Sequence, residues 1–207
     1  YSDGPHLATY AYEIGEPNLQ LEKIYGIESS IRYIPSNMPF IASLTTFYNY
    51  SPYYYQMNQM GECEDEYVIG LSHPCAGADF IEWGSGSSGW LYKYQTKGIR
   101  SIIKGLEFNL SYSYKNFKFQ YDLSLVRGYD LTNDLPLSYM NPDKQVLYFE
   151  YQKNIVSSKI RLSKINSQNR LGEFETYTPS SFLIDFIIGY IENNHSITFQ
   201  VNNIFNK

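Results

Sequence analysis

The sequence predicts an all-β protein: a fragment of an antiparallel up-and-down transmembrane β-barrel, with about eight strands and long extracellular loops. Three features predict this fold: apolar and polar residues alternate along many segments, connections alternate between short and long, and tyrosine is abundant. A period of two indicates a strand with one apolar and one polar face. Aromatic residues make up 17% of the chain, with 22 tyrosines, and their amphipathic rings suit a membrane–water boundary.

The clearest alternation lies within residues 105–125. Its first half places on one side Leu106, Phe108, Leu110, Tyr112 and Tyr114. Small and polar residues occupy the positions between them. After Lys115 and Asn116 the alternation resumes at once, so we predict a hairpin with a tight turn.

The same pattern predicts the remaining strands and the layout of their connections. Further strands are expected at residues 25–33, 40–50, 145–152, 158–166, 182–190 and 196–204. Short turns are expected at 35–39, 115–116, 153–154 and 192–194, and long loops at 51–90, 128–143 and 170–181. Short turns at one end and long loops at the other are typical of outer-membrane barrels. A soluble sandwich more often has comparable loops at both ends.

Several functional classes find no support in the residues. No apolar run approaches the roughly 18 residues of a transmembrane helix. The formal net charge is −5 and basic residues are scattered, so no nucleic-acid partner is expected. No nucleophile–base–orienter set is visible, and the three histidines are far apart in the sequence. We therefore expect neither an enzyme nor a bound cofactor.

Charged residues at alternate positions are expected to face the barrel interior. Such residues are costly on a lipid-facing surface and ordinary in a polar lumen. The predicted lumen-facing residues are Glu28, Arg32, Glu107 and Asp122, with Glu150, Lys159 and Arg161 in equivalent places.

The loop at 51–90 contains the only two cysteines of the chain, Cys63 and Cys75. In an oxidising cell-surface compartment, two cysteines in one loop are expected to form a disulfide. Closing a loop of this size would stabilise it by roughly 3 kcal/mol. Four acidic residues and His73 lie nearby, so a cation lure or a metal site that includes His73 is an alternative to a merely solvated acidic loop.

Aromatic residues of the same loop are candidates for contact with a cargo molecule. Trp83, Trp90 and Tyr54 could stack on a sugar or an organic chelate. The alternative is that they belong to the aromatic girdle at the lipid headgroups.

Three segments resemble the family of TonB-dependent outer-membrane receptors. The first has the family's Gly-x-Pro-Asn-Leu-x-x-Glu pattern at residues 15–22, followed by a strand. The second is similar to a Gly-x-Glu strand, with Gly105 and Glu107 in the matching places. The third, FETYTPSSFLIDFIIGY followed by VNNIFNK, resembles the family's last strands, with Ile204 where leucine is usual.

The resemblance covers nearly the whole chain and implies a partial barrel domain over residues 1–207. The plug, the earlier strands and the last strand of the family are expected to lie outside it. The implied function is active import of a scarce nutrient, a metal ion such as zinc or an iron chelate, across the outer membrane of a Gram-negative bacterium. The implied partners are outer-membrane lipid, the cargo and, through the plug, the TonB energy-transducing complex. The alternatives are a passive porin or adhesin barrel and a soluble, secreted glycan-binding β-protein.

Within the family, the run GPHLAT at residues 4–9 is similar to a branch that includes zinc- and iron-uptake receptors. That resemblance implies that His6 helps to hold metal near the plug. Neutral imidazole is a common zinc ligand, completed by further histidines or carboxylates. The alternative is a loop histidine that hydrogen-bonds to the plug.

Overall fold

The computed structural model describes residues 3–7, 11–61, 75–83, 89–172 and 175–205. Within these ranges, no helix is long and apolar enough to cross a membrane. The strands in the described ranges are β1 (Gly4–His6), β2 (Ala11–Ile14), β3 (Lys23–Tyr33), β4 (Phe40–Gln59), β5 (Phe80–Glu82), β6 (Trp90–Tyr114), β7 (Phe117–Asp130), β8 (Leu135–Pro136), β9 (Lys144–Lys153), β10 (Val156–Ile165), β11 (Ser181–Glu192) and β12 (His195–Val201).

The eight long strands are hydrogen-bonded to one another in their order along the chain. Strand β3 pairs with β4, β4 with β6, and the sheet continues through β7, β9, β10, β11 and β12. The pairings of β7 with β9, β9 with β10, β10 with β11 and β11 with β12 are all antiparallel. This meander confirms the predicted all-β class and the predicted number of main strands. The short strands β1, β2, β5 and β8 were not predicted.

Two strands are much longer than predicted. The interpretation of residues 51–90 as one loop was wrong, because β4 continues to Gln59. Strand β6 begins at Trp90, fifteen residues before the predicted alternation at 105. The short strand β5 also lies inside that stretch and pairs with β6. No clean apolar–polar alternation marks these extensions, so the pattern that predicted the other strands missed them.

Two-residue connections join β6 to β7, β9 to β10, and β11 to β12. One residue of each connection has a positive φ angle: 51° at Lys115, 51° at Asn154 and 50° at Asn193. Asparagine tolerates this left-handed conformation better than most residues, which explains its use at two of the three turns. The turn predicted at 153–154 lies one residue later, at Asn154 and Ile155.

The strands β7 to β11 form a sheet with two chemically different faces. In-register neighbours on the apolar face include the rows Phe119–Phe149–Ile160–Phe186 and Tyr121–Leu147–Leu162–Ile184. On the opposite face, in-register neighbours include the row Gln120–Tyr148–Arg161–Asp185. The predicted alternation is therefore confirmed across several neighbouring strands, and not only along one.

The chain divides into two compact units. Unit 1 consists of residues 1–25, 50–102 and 130–135, and unit 2 of residues 26–49, 103–129 and 136–207. In unit 1 the core is made of Ala11, Cys75, Ala78, Leu91, Tyr92, Tyr94 and Ile99. In unit 2 the buried residues are few, and large apolar side chains stay on the surface, among them Phe182, Ile188 and Phe199.

Candidate functional site

His6 lies in unit 1 beside a carboxylate that sequence reasoning did not single out. Strands β1 and β2 are antiparallel, with His6 opposite Ala11 in register. The His6 Nε2 atom lies 3.2 Å from Glu13 Oε2, and about half of the imidazole is exposed. The other carboxylate oxygen of Glu13 accepts a hydrogen bond of 2.9 Å from the Thr96 hydroxyl. Glu13 thus holds His6 close to β6.

A second carboxylate follows on the same segment. Glu16 Oε2 accepts a hydrogen bond of 3.2 Å from the Gln95 side chain, and Glu16 Oε1 accepts one of 2.9 Å from the Asn18 backbone N–H. Strand β2 runs parallel to β6 in this region, with Glu13 in register with Tyr94. His6 and the two carboxylates therefore lie within one short stretch of unit 1.

In the part of the chain that the structure describes, no group of three or more His, Cys, Asp or Glu side chains is arranged to hold a metal ion. His6 and Glu13 supply one imidazole and one carboxylate, which is half of a four-coordinate zinc site. The other two ligands of such a site would have to come from residues outside the described ranges or from another part of the complete protein. The metal role of His6 stays a prediction.

The predicted cargo-contact aromatics all belong to unit 1. The rings of Trp83 and Tyr12 have centroids 5.8 Å apart, and 40% of Trp83 is exposed. Trp90 contacts the buried Tyr92 edge to face, with centroids 4.7 Å apart. Tyr54 is half-buried within β4. Of the three candidates, Trp83 presents the most open surface.

Tyr92 anchors the core of unit 1. It is 1% exposed and pairs with β2 at Ala11 and with β5 at Phe80, so both edges of β6 are occupied there. Its hydroxyl accepts a hydrogen bond of 3.0 Å from the backbone N–H of Cys75. The tyrosine therefore fixes the end of the long connection to the sheet.

The predicted disulfide and the second metal candidate involve residues outside the described ranges. Cys63 and His73 both lie within residues 62–74. Cys75 is described, is 6% exposed, and no free cysteine occurs in the described part of the chain. The Cys63–Cys75 pairing and a metal role for His73 stay predictions.

The residues predicted to face the lumen lie on the polar face of the sheet in unit 2. Asp122 accepts hydrogen bonds from Asn109 at 2.6 Å and from Gln120 at 3.0 Å. Since side chains alternate along a strand, Glu107 shares the face of Asn109. Ser30, two residues from both Glu28 and Arg32, makes a hydroxyl contact of 2.8 Å with Thr45 across the hairpin.

The same face carries ion pairs that the sequence alone does not reveal. Lys159 and Glu150 are in register and 2.7 Å apart. Arg161 Nε donates to Asp185 Oδ2 at 2.5 Å, and Asp185 also accepts from the backbone N–H of Asn203 at 2.8 Å. Asp185 is 3% exposed. These contacts fix the segment after β12 against β11.

The fold is similar to that of solved outer-membrane transporters. The copper transporter OprC superposes with a TM-score of 0.73 at 15% identity, over 92% of this chain and 26% of OprC. The siderophore receptor PirA from Acinetobacter baumannii superposes with a TM-score of 0.65 at 16% identity, over 95% of this chain and 29% of PirA. The ferric enterobactin receptor PfeA from Pseudomonas aeruginosa superposes with a TM-score of 0.62 at 18% identity, over 94% of this chain and 27% of PfeA. The chain thus spans about a quarter of the length of these proteins.

No family model matches the sequence, and no curated protein is similar to it. The likeness to solved structures, at 15–18% identity, shows the fold. That fold is an antiparallel sheet like a segment of the barrel wall in those solved transporters, and it agrees with the fold that the sequence resemblance implied.

Proposed function

We propose that this chain is part of a TonB-dependent transporter in the outer membrane of a Gram-negative bacterium, which imports a metal ion or an iron chelate. The observation that carries the proposal is the sheet of unit 2, whose apolar face is continuous over β7 to β11. Rows of phenylalanine, leucine and isoleucine exposed to water would be unfavourable, whereas hydrocarbon accepts them. The structural similarity to copper and siderophore transporters supports this class of cargo.

The proposal is tested with the complete protein that contains this chain. Deletion of the gene for this protein should abolish uptake of one of three radiolabelled cargoes: copper ions, zinc ions or an iron–siderophore complex. Uptake should also stop when the TonB complex is inactivated or the inner-membrane proton gradient is dissipated. A passive porin would continue to conduct its solute without that energy. Energy-independent uptake, or recovery of the protein in the aqueous fraction, would refute the proposal.

Within this function, we propose that His6 is a metal ligand with Glu13 as its nearest carboxylate. The 3.2 Å contact between the two side chains and the exposure of the imidazole support this role. The histidine can release the carboxylate contact and turn its ring nitrogen toward a metal. His73 is a weaker candidate in the same role, since only its place in the acidic loop supports it.

The matched control for His6 is His195, which begins β12 and is exposed. In the complete transporter, His6→Ala should reduce uptake of the free metal ion roughly tenfold or more, as loss of a ligand or of its oriented partner does. His195→Ala should leave uptake unchanged. Equal uptake by His6→Ala and the native protein would remove His6 from the metal pathway while leaving the transporter assignment intact.

We also propose that Trp83 contacts the cargo when the cargo is an organic chelate, with Trp90 and Tyr54 in supporting positions. An exposed indole stacks on flat organic ligands, and truncation of such an anchor typically costs more than 1 kcal/mol of binding. Trp83→Ala should weaken chelate binding about tenfold, whereas Trp83→Phe should restore most of it. If the Trp83→Ala variant binds the chelate as well as the native protein does, the Trp83 ring does not contact the cargo and only packs on Tyr12.

A further inference from the structure

Two connections of unit 2 leave the same end of its sheet. Connection A, residues 137–143, joins β8 to β9. Connection B, described at residues 166–172 and 175–180, lies between β10 and β11. Strands β9 and β10 are antiparallel with Lys144 opposite Ile165, so connection A ends where connection B begins. The sequence pattern predicted two loops here and indicated no contact between them.

A single carboxylate holds the two connections together. Glu175 Oε1, in connection B, accepts a hydrogen bond of 2.6 Å from the backbone N–H of Tyr139 in connection A. The other oxygen, Oε2, accepts one of 2.8 Å from the backbone N–H of Gly172, within connection B. Hydrogen bonds to an ionised carboxylate are about twice as strong as those between neutral groups. Glu175 is therefore a clasp between the two connections.

The backbone of connection A is held in an unfavourable conformation at the clasp. Tyr139 has a φ angle of 62°, in the left-handed region that large side chains rarely adopt. Its side chain is 67% exposed, so packing of the ring does not account for this conformation. Such a conformation persists where the surrounding structure fixes it. Here the fixing contact is the bond from the Tyr139 N–H to Glu175.

The two connections also pack directly on each other. Gly172 is buried, and a Cβ atom added to it would lie 2.6 Å from both the Cα and the backbone N atom of Ser138. A side chain at position 172 would push the backbones apart, so glycine permits this close approach. Ser138 is 5% exposed, which shows that the contact is closed to water.

Two further side chains of connection B bond to connection A. The Gln168 amide nitrogen donates a hydrogen bond of 2.7 Å to the backbone carbonyl oxygen of Met140, and Gln168 is 7% exposed. Arg170 Nη2 lies 3.5 Å from Asp143 Oδ1. A buried amide that loses its acceptor is left unsatisfied, which is unfavourable. Separation of the two connections therefore has a cost at several places besides the clasp.

Each connection has a hydrogen-bonded anchor of its own. In connection A, the backbone N–H of Leu137 donates to the carbonyl oxygen of Gly128 in β7 at 3.1 Å, and Leu137 is 1% exposed. In connection B, Gln168 and Thr178 exchange two backbone hydrogen bonds, of 2.9 and 3.2 Å. Loops that open readily have many backbone groups bonded only to water, which is not the case at these positions.

We propose that connections A and B form one rigid element clasped by Glu175, and that cargo passes this part of the transporter without their separating. The alternative is that the two connections open as separate lids. The transport part of this inference rests on the function proposed above, whereas the clasp itself does not. Glu175 is a positioning residue, because it fixes the Tyr139 backbone and needs no contact with the cargo.

Hydrogen exchange in the complete protein, purified in detergent, tests the clasp. The amides of Leu137 and Gln168 report on connections A and B, and neither donates to Glu175. Glu175→Ala should raise the exchange rates of both amides together, by about tenfold or more. Glu175→Gln keeps one accepting oxygen and should have an intermediate effect. A rise in connection B alone would overturn the inference.

The matched control removes a carboxylate from the same unit at a distant position. Glu192 is the last residue of β11, at the end of the strand away from connection B. Glu192→Ala should leave the exchange of Leu137 and Gln168 unchanged. An equal rise in this control would show that the amides respond to general loosening of unit 2 and would count against the clasp.

A covalent link tests whether transport needs the two connections to separate. Tyr139 in connection A is 67% exposed and Tyr177 in connection B is 60% exposed, so cysteines at both positions are accessible to reagents. Tyr177 is two residues beyond Glu175, at most about 7 Å of chain, so a flexible bifunctional maleimide reaches both thiols. The link is made in Tyr139→Cys/Tyr177→Cys, in the Cys63→Ser/Cys75→Ser background. The linked protein should import its radiolabelled copper, zinc or iron–siderophore cargo as fast as the unlinked protein does.

The outcomes separate this inference from the function on which its transport part rests. Loss of uptake on linking, absent from the two single-cysteine variants treated with the same reagent, would mean that the connections must separate and would overturn the inference. Unchanged uptake, together with the joint rise in exchange caused by Glu175→Ala, would establish it. If the unlinked protein shows no energised uptake, the proposed function fails, and the exchange measurement still decides the clasp.

Discussion

The two compact units of the chain differ in how far their apolar strand residues are enclosed. Unit 1 has a closed core, with Tyr92 and Ala11 each 1% exposed and Leu91 3% exposed, although Leu21 stays on its surface. Unit 2 leaves large apolar side chains of its strands exposed, with Ile160 and Ile188 each at 40%. Unit 1 therefore obtains hydrophobic stabilisation within the protein, whereas unit 2, in the proposed membrane orientation, obtains it by contact with hydrocarbon. The comparison predicts that the cost of a substitution depends on internal packing in unit 1 and on the surrounding lipid in unit 2.

The largest expected effect is in the core of unit 1. Tyr92→Ala should lower the free energy of unfolding by about 3–5 kcal/mol, because it removes a fully buried ring. The measurement is thermal or denaturant unfolding of the complete protein in detergent, followed by limited proteolysis of the long connection. Tyr92→Phe keeps the ring and removes only the hydroxyl that accepts from Cys75, so it should cost about 1 kcal/mol. Equal losses for the two variants would contradict the packing explanation.

The corresponding test in unit 2 introduces a charge on the apolar face. Leu147→Arg should cost about 2–4 kcal/mol in a bilayer, because the arginine would meet hydrocarbon near the middle of the band. Gln120→Arg is the matched control on the opposite face, next to the Asp122 carboxylate. It should be tolerated. Folding yield into vesicles measures both, and equal yields would mean that the Leu147 face does not contact lipid.

A third difference between the units is the predicted disulfide in the connection of unit 1. Alkylation with and without prior reduction, followed by mass spectrometry, should show two additional labelled thiols after reduction. Replacing Cys63 and Cys75 by serine should then lower the free energy of unfolding of unit 1 by at most about 3 kcal/mol. Unfolding of unit 2 should be unchanged. Labelling of both thiols without reductant would disprove the pairing.

Sequence reasoning predicted unit 2 well and unit 1 poorly, for a physical reason. In unit 2 the two faces meet different surroundings, so the alternation from Phe117 to Leu125 specifies both the strand and its orientation. In unit 1 the consecutive residues Leu91 and Tyr92 of β6 are both buried, so both faces of the strand are covered there and residues 90–102 carry no simple period. The eight long strands were predictable, and the extensions of β4 and β6 were not.

The candidate site shows the same contrast. His6 could be named from the sequence, because its surrounding run resembles a metal-uptake branch. Its contact with Glu13 depends on the pairing of β1 with β2, and the Thr96 hydroxyl comes from 83 residues further along the chain. Such contacts follow from which strands become neighbours, and no local pattern in residues 4–16 reveals them.

The smallest expected effect concerns the carboxylate of unit 2 that lies between two arginines, just before β9. Hydrogen bonds from the Arg127 guanidinium, followed by the charges of Arg127 and Arg170, hold the pKa of Asp143 below its ordinary value. A carboxyl with a lowered folded-state pKa contributes stability that is fully present above its unfolded-state pKa, about 3.9, and is lost as the pH falls through the folded-state pKa.

Asp143→Asn should therefore lower the free energy of unfolding by about 1 kcal/mol at pH 7, an amount kept small by the partial exposure of all three side chains. As the pH falls from the unfolded-state pKa through the lower folded-state pKa, the native carboxyl takes up its proton and the difference between native protein and variant should shrink toward zero. Unfolding midpoints of the two proteins from pH 7 to pH 2.5 provide the measurement. A difference that stays constant over this range would show that Asp143 acts by packing, and that its charge contributes nothing to the edge of the apolar face.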